Sequence, residues 1–153
     1  MIEKAQPEQH ETLTRIAQAA KRHWGYPEAW IEAWNDGLVI TPAFIAANHV
    51  HVARDGEEIV GFYALIGSGS QVILEHMWVL PTRIGNGVGK RLFRHAVEQA
   101  ASLNATTIQI ESDPNAEGFY KRMGARRIGE VTAAMDGQPR VLPLLIVDVA
   151  NEQ

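Results

Sequence analysis

The stretch Leu74-Glu75-His76-Met77-Trp78-Val79-Leu80-Pro81-Thr82-Arg83-Ile84-Gly85-Asn86-Gly87-Val88-Gly89-Lys90-Arg91-Leu92-Phe93 decides the fold. Val72, Leu74, Met77, Trp78, Val79 and Leu80 form a run suited to a largely buried strand over Gln71 to Leu80. Pro81 stops it, because proline cannot donate to a sheet ladder. From Val88 onward, Leu92, Phe93, Ala96, Val97, Ala100 and Leu103 fall on one face of a helix predicted over Gly87 to Leu103. Between strand and helix, Gly85, Gly87 and Gly89 alternate. Glycines let backbone approach a ligand closely, and a helix that starts there offers unbonded N–H groups and a positive dipole end. The stretch reads as an anion site, for a phosphate, against the simpler reading of a tight turn. A Walker A loop requires Ser or Thr after Gly-Lys, and Arg91 follows Lys90. A dinucleotide fingerprint requires G-x-G-x-x-G near the first strand, and the spacing and position here are both wrong.

Composition fits a globular protein. The 153 residues suit one domain with its own core, spanning residues 1–153. Hydrophobic residues make up 46% and charged residues 21%, and no apolar run reaches the ~20 residues of a membrane helix. The first residues, Met1 to Pro7, lack the apolar core of a signal peptide. The chain has no cysteine, which excludes disulfides and thiolate chemistry and is compatible with a cytoplasmic location. A net charge of −4 argues against general nucleic-acid binding. Arg83, Lys90, Arg91, Arg94, Lys121, Arg122, Arg126 and Arg127 concentrate basic charge in the stretches assigned to the ligand; a solvated helix face is the alternative.

Along the chain, Ile2 to Ala5 suggests a short strand, and Pro7 starts a helix with Leu13, Ile16, Ala17 and Ala20 on its apolar face up to His23. Gly25 breaks it. Pro27 starts a second helix carrying Trp30, Ile31 and Trp34 on one face, and Gly37 ends it. Thr41-Pro42 caps a third turn containing Phe44 and Ile45. His49 to Arg54 and Glu58 to Ile66 read as strands joined at Asp55-Gly56, followed by a Gly67 to Ser70 turn. Thr106 to Glu111 is a strand, and Asp113-Pro114 starts a helix that runs to Met123 and stops at Gly124. Arg126 to Val131 and Val141 to Val149 are the last strands, joined near Asp136-Gly137. The helical crossover between the central strand and the next makes that pair parallel, so the fold is mixed α/β.

At this point the chain resembles the GNAT superfamily of N-acetyltransferases over nearly its whole length. Ile84-Gly85-Asn86-Gly87-Val88-Gly89 falls on that family's Q/R-x-x-G-x-G/A pyrophosphate loop, with Ile84 where Gln or Arg usually sits. Asn115-Ala116-Glu117-Gly118-Phe119-Tyr120-Lys121-Arg122-Met123-Gly124 matches its second motif, an Asn opening a helix that carries Phe-Tyr and ends at Gly. His23-Trp24-Gly25-Tyr26 and Pro139-Arg140-Val141-Leu142-Pro143 look like a bacterial subgroup of uncharacterised members. The resemblance implies a central sheet of about six to seven strands flanked by helices and splayed at its parallel pair. It implies acetyl-CoA as co-substrate. The backbones of Met77 and Val79 would face the pantetheine, and the amides from Gly85 to Lys90 the pyrophosphate. Asn115 would lie beside the pantetheine and Tyr120 near the thioester sulfur.

An amine attacks a thioester directly, so the chemistry requires a group to take the amine proton and a group to protonate the leaving thiolate. Tyr120 is the family's usual acid and the first catalytic candidate; a core tyrosine is the alternative. Glu75 is the base candidate. Strand alternation puts it on the face of Met77 and Val79, and burial there would raise its pKa toward neutrality; a structural hydrogen bond is the alternative. His76 points the other way and reads as structural. Glu111 is a rival base, and a water-mediated base is another.

Trp24 and Tyr26 flank a glycine where the family places its acceptor-binding helices, and are the acceptor-site candidates; Trp30 and Trp34 read as core. Glu28, Glu32 and Asp36 nearby would attract a cationic amine. No His, Asp or Glu spacing suggests a metal. The sequence therefore reads as an acetyl-CoA-dependent N-acetyltransferase of a small-molecule or peptide amine, with no membrane or nucleic-acid partner and with homodimer formation plausible from its strand edges. The alternatives are a non-catalytic acyl-CoA-binding sensor and, third, a nucleotide-binding protein.

Overall fold

A computed structural model describes residues 1–135 and 138–149. The turn expected at Asp136-Gly137 lies outside the described residues. Seven strands form one sheet in the order β1 (Ile2–Lys4), β2 (His49–Asp55), β3 (Glu58–Ile66), β4 (Gln71–Val79), β5 (Thr107–Glu111), β7 (Gln138–Asp148) and β6 (Arg126–Met135), with β4 and β5 parallel. The chain divides into two compact units, Met1–Ala64 with His76–Phe93, and Leu65–Glu75 with Arg94–Gln153.

In the first unit, β1 (Ile2–Lys4) runs antiparallel to β2 (His49–Asp55). Pro7 begins a single 3-10 turn, and α1 (His10–His23) follows it, so proline starts the turn rather than the α-helix. Leu13, Ile16, Ala17 and Ala20 are buried at i, i+3, i+4 and i+7. Lys21, four residues after Ala17, falls on the same stripe and is buried as well. α2 (Glu28–Asn35) buries Ile31, and α3 (Pro42–Ala47) is capped by Thr41, whose side chain accepts from the Phe44 N–H. Leu13, Ile16, Leu38, Ile40, Ile45, Val50, Val52 and Phe62 make the core. β3 (Glu58–Ile66) returns from β2 through a turn in which Gly56 takes φ +63°. β4 (Gln71–Val79) ends one residue earlier than expected, and only Val72 and Leu74 in it are fully buried. The stretch from His76 to Val79 is half-buried rather than interior.

Gly61 on β3 sets how closely the next helix can approach. A methyl group there would lie 2.9 Å from the Trp78 carbonyl oxygen, 3.1 Å from a Leu92 methyl and 3.3 Å from a Val88 methyl. Glycine is what allows the first turns of α4 (Val88–Ser102) to pack so closely on β3.

In the second unit, β5 (Thr107–Glu111) pairs with β7 (Gln138–Asp148) from Thr107 opposite Asp148 to Glu111 opposite Leu144. α5 (Glu117–Arg122) is shorter than expected, because Pro114–Ala116 forms a separate 3-10 turn. Gly124, at φ +103°, ends it. β6 (Arg126–Met135) and β7 are both longer than the sequence suggests and pair from Arg126 opposite Ile146 to Met135 opposite Gln138, with an irregularity between Arg127 and Gly129. The parallel β4–β5 register runs only from Gln71–Thr107 to Ile73–Gln109, although β5 continues to Glu111. No helix among the described residues is long and apolar enough to cross a membrane.

Candidate active site

The loop before α4 is built by backbone. After β4, Pro81–Arg83 makes a 3-10 turn, with the Arg83 N–H donating to the Leu80 carbonyl at 2.8 Å and the Asn86 N–H to the Arg83 carbonyl at 3.2 Å. Gly85 and Gly87 take φ +90° and +81°, a region side chains rarely adopt. The Gly87 carbonyl then accepts from the Arg91 N–H at 3.1 Å, the first bond of α4. The N–H groups of Val88, Gly89 and Lys90 thus precede the helical ladder and face outward at its positive end. Val88 is buried at Gly61, which seats this end of the helix, whereas Ile84 is 50% exposed. Of the amides from Gly85 to Lys90, that of Asn86 is already used inside the loop. The Arg91 guanidinium folds back to within 3.4 Å of where a Gly87 side chain would begin.

Much of the basic charge assigned to a ligand is engaged within the protein. Arg83 donates to Asp55 at 2.5 Å and to Glu58 at 2.7 Å, which ties the loop to the β2–β3 turn. Arg126 pairs with Asp148, Arg127 with Glu117 and Glu130, and Lys121 with Glu117. Arg83 therefore does not replace the side-chain donor missing at Ile84.

At the end of β4, His76 and Trp78 share one face. The Trp78 indole N–H donates to His76 Nδ1 at 3.0 Å, and His76 packs between Phe44 and Phe62 at ring separations of 5.7 and 6.1 Å. Burial pushes the His76 pKa down to about 4, so the ring is neutral at physiological pH. Alternation puts Met77 and Val79 on the other face.

The aromatic residues of the N-terminal helices separate into two groups. Tyr26, Trp30 and Trp34 pack together, with ring separations from 4.8 to 5.9 Å. The Lys21 ammonium lies 4.1 Å from the Trp34 ring centre and 5.1 Å from that of Tyr26. Tyr26 is thus half-buried and already covers a cation of the protein's own. Trp24 is 39% exposed and meets the edge of His23. Glu28 forms a bidentate pair with Arg22 at 2.7 and 2.8 Å, which largely removes it as an attractor of cations.

In the second unit, Glu75 is exposed, not buried as the sequence suggests. Its pKa is nonetheless raised, first by partial desolvation and then by the charge of Glu111. The two carboxylates follow the last parallel pair, Ile73–Gln109, on β4 and β5. Tyr120 is 8% exposed, and its pKa is pushed far up by burial and, secondarily, by the charge of Asp113. It keeps its proton across the whole working range. Asn115 is exposed, and both its backbone N–H and its side-chain amide donate to one oxygen of Asp113, at 2.8 and 3.0 Å. Asp113, expected only to cap a helix, is thus the centre of this turn.

The chain matches the acetyltransferase (GNAT) domain family over residues 46–124, from the end of α3 through the α4 loop to the end of α5. This chain belongs to the GNAT family. It is similar to the peptidyl-lysine N-acetyltransferase YjaB of Salmonella typhimurium, 33% identical over 115 residues that span 75% of this chain and 71% of the relative. Its fold is that of a GCN5-related N-acetyltransferase from Rhodopseudomonas palustris, with a TM-score of 0.79 at 21% identity over 97% of this chain and 94% of that one. It also matches the PaiA N-acetyltransferase of Thermoplasma acidophilum solved with coenzyme A, with a TM-score of 0.76 at 18% identity over 97% and 98% of the two chains. The GNAT protein is an acetyltransferase with acetyl-CoA as co-substrate, and the donors at the head of α4 suit a diphosphate.

Proposed function

We propose that this GNAT enzyme acetylates a primary amine of a small molecule or of a peptide, acting as one catalytic domain in the cytoplasm. The observation that carries the reading is the loop in which Gly85 and Gly87, both at positive φ, present the amides of Val88, Gly89 and Lys90 ahead of the first bond of α4. Acetyl-CoA supplies a thioester that an amine attacks directly, so no protein nucleophile is required. The Val88 to Lys90 amides, together with Gly85 and Gly87, hold the diphosphate, and Ile84 and Asn86 contribute backbone shape only. The Met77 and Val79 backbones and Asn115 hold the pantetheine arm.

Glu75 takes the proton that the amine loses as its nitrogen bonds to the acyl carbon. Desolvation and the charge of Glu111 raise its pKa, the direction that makes it a stronger base. Tyr120 donates its hydroxyl proton toward the sulfur as the C–S bond breaks. Because the phenol is a weaker acid than a thiol, whose pKa is about 8.5, it serves best as a hydrogen-bond donor to the developing thiolate. Trp24 contacts the acceptor, and Tyr26 shapes that region from within the aromatic group over Lys21.

The similarity to a peptidyl-lysine N-acetyltransferase supports placing lysine peptides in the test panel. Thiol release from acetyl-CoA is measured across lysine peptides, protein N-termini, amino acids, polyamines and aminoglycosides. Turnover on one amine class supports the reading; acetyl-CoA binding without thiol release on any amine converts it to an acyl-CoA sensor. The exposed Ile128 on β6, the last strand in the sheet order, supports a homodimer, which light scattering tests.

A further inference from the structure

Arg140 belongs to a sequence motif, Pro139-Arg140-Val141-Leu142-Pro143, to which acetyl transfer by Glu75 and Tyr120 gives no task. It lies where β7 runs past the end of β5. The β5–β7 register closes at Glu111–Leu144, the Ser112 N–H donates to the Pro143 carbonyl at 2.9 Å, and β7 extends beyond to Gln138. There the Arg140 guanidinium meets Asp113 Oδ2 at 3.3 Å, with side chains only 12% and 10% exposed. The other Asp113 oxygen accepts from the backbone and side chain of Asn115. The Asp113 carbonyl accepts from the Ala116 N–H at 2.9 Å and from the hydroxyl of buried Ser112 at 2.7 Å. This one residue thus closes the turn that leads into α5.

We propose that Arg140 is a positioning residue for acetyl transfer: its guanidinium neutralises Asp113 through Oδ2, so that this carboxylate can set the turn that starts the Tyr120 helix, while Asn115 keeps its own bonds to Oδ1. The inference rests on the reading of Tyr120 as the group that assists thiolate departure. A carboxylate so nearly buried is costly unless paired. Left uncompensated, it also adds negative charge beside Tyr120 and tightens the phenol's hold on its proton. Loss of Arg140 therefore falls on the step that uses Tyr120. It spares the α4 loop, which binds through its own backbone.

The test combines Arg140→Gln and Arg140→Lys with Tyr120→Phe, using acetyl-CoA and a lysine peptide. Arg140→Gln lowers kcat about tenfold, while acetyl-CoA affinity by calorimetry stays within about twofold. Arg140→Lys recovers most of the loss, and on the Tyr120→Phe background Arg140→Gln costs nothing further. A tenfold loss that persists on the Tyr120→Phe background overturns the proposal, as does a loss shared by acetyl-CoA affinity. If Arg140→Gln does not fold, Asp113→Asn with Arg140→Gln removes both charges and keeps a capping side chain; kcat within about threefold of wild type supports the proposal, and a tenfold loss overturns it. A Tyr120→Phe enzyme with wild-type single-turnover rate fails the underlying reading and takes the proposal with it, whereas a slow Tyr120→Phe with an additive Arg140 effect fails the proposal alone. Independently of the acceptor, the Cζ carbon resonance of Tyr120, one of three tyrosines, moves in Arg140→Gln and returns in Arg140→Lys; an unmoved resonance overturns the assignment.

Discussion

The indole N–H of Trp78 donates to Nδ1 of His76 at 3.0 Å, two positions along the same face of β4. That bond occupies the Nδ1 lone pair and leaves the proton on Nε2, so His76 sits as a neutral ring between Phe44 and Phe62. Its pKa of about 4 is below the ordinary value of 6.5. Between those two pH values the unfolded chain binds the proton and the native one does not. The contribution to stability is complete above about pH 6.5 and is lost as pH falls toward 4, with about 3 kcal/mol at stake. Urea denaturation at pH 7 and pH 4.5 should show a smaller stability difference in His76→Phe than in wild type. Equal differences would assign the acid sensitivity to other groups.

Gly61 predicts a packing cost that propagates to the ligand. In Gly61→Ala the new methyl meets a backbone oxygen, that of Trp78, at 2.9 Å, and this atom cannot swing aside. A loss of about 1–3 kcal/mol is expected, seen as a lower Tm. The methyl also presses on Val88 and Leu92, so acetyl-CoA affinity should weaken as the head of α4 shifts. Wild-type Tm and affinity together would show that β3 and α4 separate without cost.

Gly87→Asp tests the loop itself. At φ +81° an aspartate is strained, and its charge would stand where a diphosphate is held. Calorimetry should show at least a tenfold weaker acetyl-CoA complex, about 1.4 kcal/mol. Unchanged affinity in a folded variant moves the diphosphate elsewhere.

Glu75 and Tyr120 make separate kinetic predictions. A base must be deprotonated to act, so kcat/KM should rise with pH along a limb displaced above the ordinary carboxylate range, because desolvation and Glu111 both raise Glu75. Glu111→Gln removes the second cause and should move that limb to lower pH. Glu75→Gln should abolish the limb. Tyr120→Phe should slow the chemical step by roughly 10²–10⁴ at unchanged acetyl-CoA affinity. A limb that ignores Glu111 would point to the amine's own titration.

The strand–loop–helix around Gly85–Gly89 was legible because its signals are local: apolar run, proline, glycines, then helical spacing. The caps at Thr41 and Asp113 were legible for the same reason. What escaped depends on neighbours distant in sequence. Nothing beside Gly61 in the chain announces that Trp78 and Leu92 crowd it. Lys21 was visible as a charge four residues after Ala17 on the apolar stripe, but the rings of Trp34 and Tyr26 that its ammonium packs against come from later in the chain. Glu75 failed the other way. Its apolar flanks suggested burial, yet its side chain is exposed, two residues past the end of the parallel register at Ile73. Arg83 and Glu28 looked available for a ligand until the fold brought them Asp55, Glu58 and Arg22.

The final prediction separates Trp24 from Tyr26. Both precede residue 46, where the family match begins. Their surroundings differ. Tyr26→Ala removes a ring from the group with Trp30 and Trp34 and one of the two aromatic faces packed against the Lys21 ammonium. Aromatic packing and cation–π contact of about 1–2 kcal/mol should be lost, with a lower Tm. Trp24 is exposed and contacts His23 at its edge, so Trp24→Ala should leave Tm nearly unchanged. Its effect should appear as a lower kcat/KM for the acceptor, with acetyl-CoA affinity held within about twofold. Substituting phenylalanine at Tyr26 keeps the ring over Lys21 and should restore Tm. If acceptor kinetics remain impaired in Tyr26→Phe, the hydroxyl serves the acceptor directly; if they recover, Tyr26 acts through packing alone and Trp24 carries the contact. Wild-type acceptor kinetics in Trp24→Ala would remove this region from the acceptor site.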